Sequence, residues 1–247
     1  MMPVTRCLTG KRFDHVSDFR IDSRRASNLY HRVDLDIVSF AVAPLGCNCS
    51  ILRETATNET IVVDPGGDAD RIIDLLTEKG CKVKYIVHTH AHFDHVLGTH
   101  EVASHCRNSG HASAVCMHPG DLPLYRILPQ QCGWFGLPPV EAKEEISHRL
   151  EDDEVLSFGR FKMHVLHTPG HTPGSCSFSI AERGILFSGD TLFAGSIGRT
   201  DLPGGDYDQI IKSIKDRLMV LDDGTTVIPG HGEFTRIFDE KRTNPFL

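Results

Sequence analysis

Within Thr89-His90-Ala91-His92-Phe93-Asp94-His95, three imidazoles and a carboxylate crowd together directly after the apolar run Val83-Lys84-Tyr85-Ile86-Val87. Such a set is a poor interior for a strand or helix and a good metal-binding loop at the end of a buried strand. Alternation along extended backbone points His90 and His92 the same way. Asp94 and His95 break the alternation and face a second position, so one short loop can serve two divalent ions. Imidazole and carboxylate donors suit Zn, Fe and Mn alike. A chance cluster is the competing explanation in a chain with 15 His, and the metal reading is preferred.

Three further segments share this design: Leu166-His167-Thr168-Pro169-Gly170-His171, Phe187-Ser188-Gly189-Asp190 and Val227-Ile228-Pro229-Gly230-His231. Each ends an apolar run with Gly or Pro and then offers a His or Asp. Donors at strand termini are held by a rigid sheet while facing a cleft. The remaining His, including His88, His100, His118 and His167, are expected at the surface or as supporting groups.

The elements that must carry these residues follow from periodicity. Strands are expected at Asp36–Val42, Ser50–Leu52, Thr60–Val63, Val83–Val87 and around Ala114–Met117, with helices between Asp70 and Gly80 and over Thr99–Asn108. Residues 119–147, rich in Pro and holding the only Trp, Trp134, read as a long irregular excursion, either a binding loop or plain packing. Strands resume at 153–157, 161–166, 175–180 and 184–188. An amphipathic helix over Asp206–Leu221 and a last strand at Thr225–Ile228 complete the pattern. Two successive blocks of strands and helices predict two mixed sheets packed face to face with helices outside, an αββα sandwich of the α/β class.

Composition narrows the function. The chain has 247 residues, 40% hydrophobic and 24% charged, with a net charge of −7, so it can bury a sizeable core and offers no basic groove for nucleic acid. No apolar run reaches the ~18 residues of a membrane span, and no secretory leader is evident. The eight Cys have no regular spacing; buried reduced thiols in a cytoplasmic protein are expected, including the Cys47-Asn48-Cys49 pair. Residues 1–34 lean basic, but Asp14, Asp18 and Asp22 argue against a transit peptide. They are read as an N-terminal extension, with organelle targeting left open, and residues 35–247 as one domain.

The order His90-x-His92-x-Asp94-His95, then His171, Asp190 and His231, resembles the metal-binding set of the metallo-β-lactamase superfamily. That resemblance implies one ion on His90, His92 and His171, a second on Asp94, His95 and His231, and Asp190 bridging both. Zn is the first expectation, with Fe or Mn as alternatives. The segments Gly195-Ser196-Ile197-Gly198-Arg199-Thr200-Asp201 and Pro229-Gly230-His231-Gly232, and the tail Glu240-x-x-x-Asn244-Pro245-Phe246-Leu247, are similar to short glyoxalase II-like hydrolases (hydroxyacylglutathione hydrolase-like) that lack a helical C-terminal domain. Lys241 stands where Arg is expected in that tail.

Glyoxalase II likeness implies hydrolysis of the thioester S-D-lactoylglutathione to D-lactate and glutathione by metal-activated water. Asp94 would orient that water and serve as proton acceptor if only one ion is bound. Arg199 would bind a glutathione carboxylate through its planar fork, unless it is tied up by Asp201 or Asp206. The alternatives are a mononuclear-iron persulfide dioxygenase acting on glutathione persulfide, and another hydrolase of the same scaffold, such as a lactonase or phosphodiesterase. No nucleic-acid or membrane partner is expected.

Overall fold

A computed structural model describes Phe19–Arg20 and residues 34–247 of the chain. Apart from Asp34 and that dipeptide, the extension read over residues 1–34 lies outside the described residues. The first sheet takes strands in chain order, with β1 (Phe19–Arg20), β2 (Leu35–Val42), β3 (Cys47–Glu54) and β4 (Glu59–Val63) antiparallel. It continues through β5 (Lys82–Val87), β6 (Ala114–Met117) and β7 (His148–Arg149) in parallel. Helices α1 (Ala69–Glu78), α2 (Phe93–Val96) and α3 (Thr99–Asn108) occur in the connections on either side of β5.

The second sheet contains β8 (Val155–Phe158), β9 (Phe161–His167), β10 (Cys176–Ile180) and β11 (Ile185–Gly189). After a small ribbon of β12 (Leu192–Phe193) and β13 (Ser196–Ile197), it is completed by β14 (Thr226–Pro229) and β15 (Thr235–Arg236). β9 and β11 both run antiparallel to β10, and β14 runs parallel to β11. Strands β9, β11 and β14 therefore all end at one edge.

Alternation sorts side chains between layers. Leu35 and Ile37 of β2, Ile61 and Val63 of β4 and Val87 of β5 enter the core shared with Met163, Val165, Phe178 and Phe187 of the second sheet. Their neighbours Val38, Phe40, Val62 and Ile86 point the other way, onto Ile72 and Leu76 of α1 and Val102 and Ala103 of α3. Burial on both faces explains why these strands read as nearly continuous apolar runs. Leu186 and Val227 carry the outer face of the second sheet against the helices that follow it. The αββα sandwich expected from the sequence is the observed architecture.

Two local expectations change, and the tail adds an element. The stretch read as irregular, 119–147, contains α4 (Leu122–Arg126) and α5 (Leu128–Trp134), with Pro123 and Pro129 in their first turns, where a missing N–H costs no helical bond. The helix expected over 206–221 is α6 (Tyr207–Ser213) followed by a π-helical stretch, Ile214–Leu218. The wider turn keeps Ile210, Ile214 and Leu218 in one buried cluster. The tail forms α7 (Ile237–Thr243). Among the described residues no helix is long and apolar enough to cross a membrane.

Candidate metal centre

All seven residues of the ligand set that the resemblance implies meet where strands of the two sheets end. The loop after β5 delivers His90 and His92, and the short helix α2 turns Asp94 and His95 inward. The loop after β9 delivers His171, while Asp190 follows β11 and His231 follows β14. His92 Nδ1 lies 3.1 Å from His90 Nε2 and 2.9 Å from His171 Nε2. His231 Nε2 lies 3.3 Å from His95 Nε2 and 3.1 Å from Asp94 Oδ2. Tetrahedral coordination at the usual Zn–N length spaces donors by about 3.3 Å, so these separations match donors sharing a cation.

Asp190 lies between the two groups. Its Oδ2 is 3.6 Å from His171 Nε2 and 3.8 Å from His231 Nε2, and its Oδ1 is 3.5 Å from His95 Nε2. That Oδ1 is buried and accepts no hydrogen bond. A buried carboxylate oxygen without a partner is costly, and a cation among these donors satisfies it. A Cβ at Gly230 would overlap the Asp190 carboxylate, so only glycine lets the β14 loop come this close. Among the described residues four donor groups could each hold an ion: His90, His92 and His171; Asp94, His95 and His231; His90, His95 and Asp190; and, behind His95, Cys47, Asp64 and His95.

The ring tautomers are set from outside the cluster. Asp64 accepts from the Thr89 N–H at 2.7 Å, the Thr89 hydroxyl at 2.6 Å and His95 Nδ1 at 3.0 Å. With its hydroxyl proton on Asp64, Thr89 accepts from His90 Nδ1 at 3.1 Å. His171 Nδ1 donates to the Arg199 carbonyl at 2.7 Å. Each of these three rings thus carries its proton on Nδ1 and turns an Nε2 lone pair inward, as metal ligation requires. Asp64 holds φ = 48°, a left-handed conformation rare for a residue with a side chain. Asn48 secures the fourth loop, donating from Nδ2 to the Pro229 carbonyl at 2.9 Å and the Gly232 carbonyl at 3.1 Å.

Electrostatics divide the centre. Burial and the neighbouring imidazoles hold His90 well below the usual range, and burial with His171 brings His92 down to about 3. Burial opposes charge on His95 too, but the carboxylates of Asp190, Asp94 and Asp64 push its pKa well up. Burial would raise Asp94, yet His95 and His231 bring it down to about 2. The Cys47 thiol, 3.4 Å from His95 Nδ1, is pushed up to about 12 by burial and stays protonated.

Arg199 makes the ion pair foreseen as its alternative role: its Nε and Nη2 bond Asp201 at 2.7 and 2.8 Å on the exposed rim. Asp206 instead caps α6. His88 is a satisfied core residue, 3.0 Å from the Cys116 carbonyl and 2.8 Å from Thr99 Oγ1. His118 and His167 stack with ring centroids 4.0 Å apart. Sequence reasoning missed Asp64, Asp121, Gln131 and Asn48. Asp64 carried a signal, because it ends β4, the parallel neighbour of the strand that delivers His90; the others carried none.

Comparison with known proteins places this geometry. Residues 42–231 match the profile of the metallo-beta-lactamase superfamily. The chain belongs to that superfamily. Hydroxyacylglutathione hydrolase GloC of Haemophilus influenzae is 40% identical over 200 residues, which cover 81% of this chain and 92% of that protein. Among solved structures, the BLEG-1 B3 metallo-beta-lactamase aligns with a TM-score of 0.77 at 34% identity, covering 85% of this chain and 98% of its own. TTHA1623 in a di-iron-bound form gives 0.74 at 37% identity, covering 84% and 98%. The superfamily expected from the seven-residue pattern is thereby established, together with the likeness to glyoxalase II-like hydrolases.

Proposed function

We propose that the chain is a metal-dependent thioester hydrolase of the glyoxalase II type, cleaving S-D-lactoylglutathione to D-lactate and glutathione. The observation that carries this reading is the convergence of seven donors around the unpartnered Asp190 oxygen, in a chain 40% identical to a hydroxyacylglutathione hydrolase. His90, His92 and His171 would hold one divalent ion, Asp94, His95 and His231 a second, and Asp190 would be shared. Zn suits the donors best, and Fe or Mn fit the same set. Two such ions supply Lewis acidity, ionising water near neutral pH and polarising a carbonyl.

The protein's own part is orientation. Asp94, kept ionised by His95 and His231, offers an acceptor that aims the attacking water at the thioester carbon. With its pKa near 2 it is a poor lasting store for a proton, so its work is alignment. A thiolate leaves without strong acid assistance, which accords with His90 and His92, both held neutral by burial. Arg199, whose carbonyl orients His171, would trade Asp201 for a carboxylate of the glutathione moiety. The cysteines among the described residues are all free, which supports a reducing, cytoplasmic setting.

Thiol release from S-D-lactoylglutathione, with metal content measured on the same sample, tests the reading. Turnover that scales with two ions per chain is the expected result. A fully metallated protein that releases no thiol, yet consumes oxygen with glutathione persulfide, would replace it with the dioxygenase alternative. The assembled Asp94, His95 and His231 set favours the hydrolase.

A further inference from the structure

Asp121 is a fully buried carboxylate with no cationic side chain among its hydrogen-bond partners. Its Oδ2 accepts from the Ala91 N–H and from the Thr172 hydroxyl, each at 2.8 Å, and its Oδ1 accepts from the Gly174 N–H at 2.6 Å. Ala91 lies between His90 and His92, and Thr172 follows His171. One side chain thus ties together the two loops that present the three imidazoles of the first donor set. It touches neither Asp94 nor His95 nor His231. The contact is built closely: a Cβ at Gly174 would run into the Asp121 backbone and carboxylate.

Gln131 of α5 clamps the same loop from another side. Its Oε1 accepts from the Phe93 N–H at 3.1 Å, and its Nε2 donates to the Ala91 carbonyl at 3.0 Å. The excursion over 119–147 is therefore a brace seated on the His90–His92 loop. Asp64 serves both sets, bonded directly to His95 Nδ1 and linked through the Thr89 hydroxyl to His90 Nδ1.

We infer that Asp121 is a positioning residue dedicated to the ion held by His90, His92 and His171, whereas Asp64 reaches both sets. Besides fixing the loops, the buried Asp121 carboxylate sets a negative potential behind these three imidazoles, where a dication gains most. Asn is isosteric, but its NH2 group must face a backbone N–H, of Gly174 or of Ala91, so at least one of these bonds is lost together with the charge. Outer partners of this kind command about 10–100-fold in metal affinity.

The inference rests on the two-ion reading, and the experiment separates the two. Metal-depleted full-length protein is titrated with Co2+ while the visible spectrum is followed, for the wild type, Asp121→Asn, Thr172→Val, His171→Ala, and Asp121→Asn combined with His171→Ala or with His231→Ala. The wild type takes up two ions. Asp121→Asn weakens one of them about 10–100-fold and leaves the other unchanged. Adding His231→Ala then leaves no tight ion, whereas adding His171→Ala changes the remaining ion no further than His171→Ala alone. Thr172→Val, which keeps the carboxylate and removes one donor, weakens the same ion to a smaller degree and decides the matter if Asp121→Asn does not fold. Wild-type protein that takes up no ion overturns the centre and the inference together. Two wild-type ions that are both retained, or both weakened equally, in the Asp121 and Thr172 variants overturn the inference alone.

Discussion

His92 sits at the hub of the first donor set, within about a hydrogen-bond length of both His90 and His171. His92→Ala is expected to lower metal content by one ion per chain and turnover by more than about 100-fold, beyond what outer partners command. Metal analysis and thioester assay on one preparation check this, and full activity in the variant would remove His92 from the centre. Arg199 offers a subtler test. Its bond to Asp201 is an exposed pair worth little, so a substrate carboxylate can displace it. Arg199→Ala should raise KM about 10–100-fold with kcat nearly unchanged, the scale of one charge-assisted hydrogen bond. Asp201→Asn should lower KM by freeing the fork; a KM unmoved in both variants would leave Arg199 a purely structural residue. The donor segments are legible in the chain because each follows an apolar run and carries types that metals select, while the choice of His171 over His167 rests on the superfamily resemblance. Asp121 is not, because its partners Ala91 and Gly174 lie 30 and 53 residues away and offer only backbone N–H groups.

Between single residues and the whole lie the joints that aim one strand end at another. His118 follows β6 of the first sheet and His167 ends β9 of the second, and their rings stack across the junction. Burial, with the neighbouring His167 adding to it, brings His118 down to about 4. An unfolded chain takes up a proton on this residue near pH ~6.5. Between that pH and about 4 the unfolded state binds a proton that the folded state refuses. This stabilising contribution is therefore intact above pH ~6.5 and declines as pH falls through the window. His118→Gln should show a shallower loss of Tm between pH 7 and pH 5 than the wild type, and parallel Tm curves would show that the stacked pair contributes nothing. At this scale the longer strands and α3 could be read directly, since hydrophobic period and turn residues agree there, whereas the two-residue strands β7, β12, β13 and β15 could not. The tail could not: Glu240 is buried by accepting from the Thr235 hydroxyl at 2.6 Å, the Gly195 N–H at 3.0 Å and Asn244 Nδ2 at 2.7 Å. Those bonds hold the β12–β13 ribbon in place, an arrangement that exists only once the second sheet has formed.

Across the whole molecule, the αββα order was legible because buried strands and amphipathic helices alternate in blocks, whereas the helices at 122–134 were masked by prolines that fit a first turn. Removal of metal should register globally. An ion present at about 100 times its dissociation constant stabilises the folded state by about 2.7 kcal/mol, or roughly 5–10 °C of Tm in a chain of this size. Chelator should lower Tm by that amount and added Zn2+ should restore it; an unchanged Tm would mean that no tightly bound ion supports the fold. The parallel ending of β9, β11 and β14 at one edge has a mechanical meaning as well. His90, His92, Asp94 and His95 belong to the half of the chain that builds the first sheet, while His171, Asp190 and His231 belong to the half that builds the second. Metal bound at this seam acts as a rivet between two separately woven panels. A chain severed near residue 151 would yield two fragments with incomplete donor sets, and divalent cation would be the agent that draws them back together.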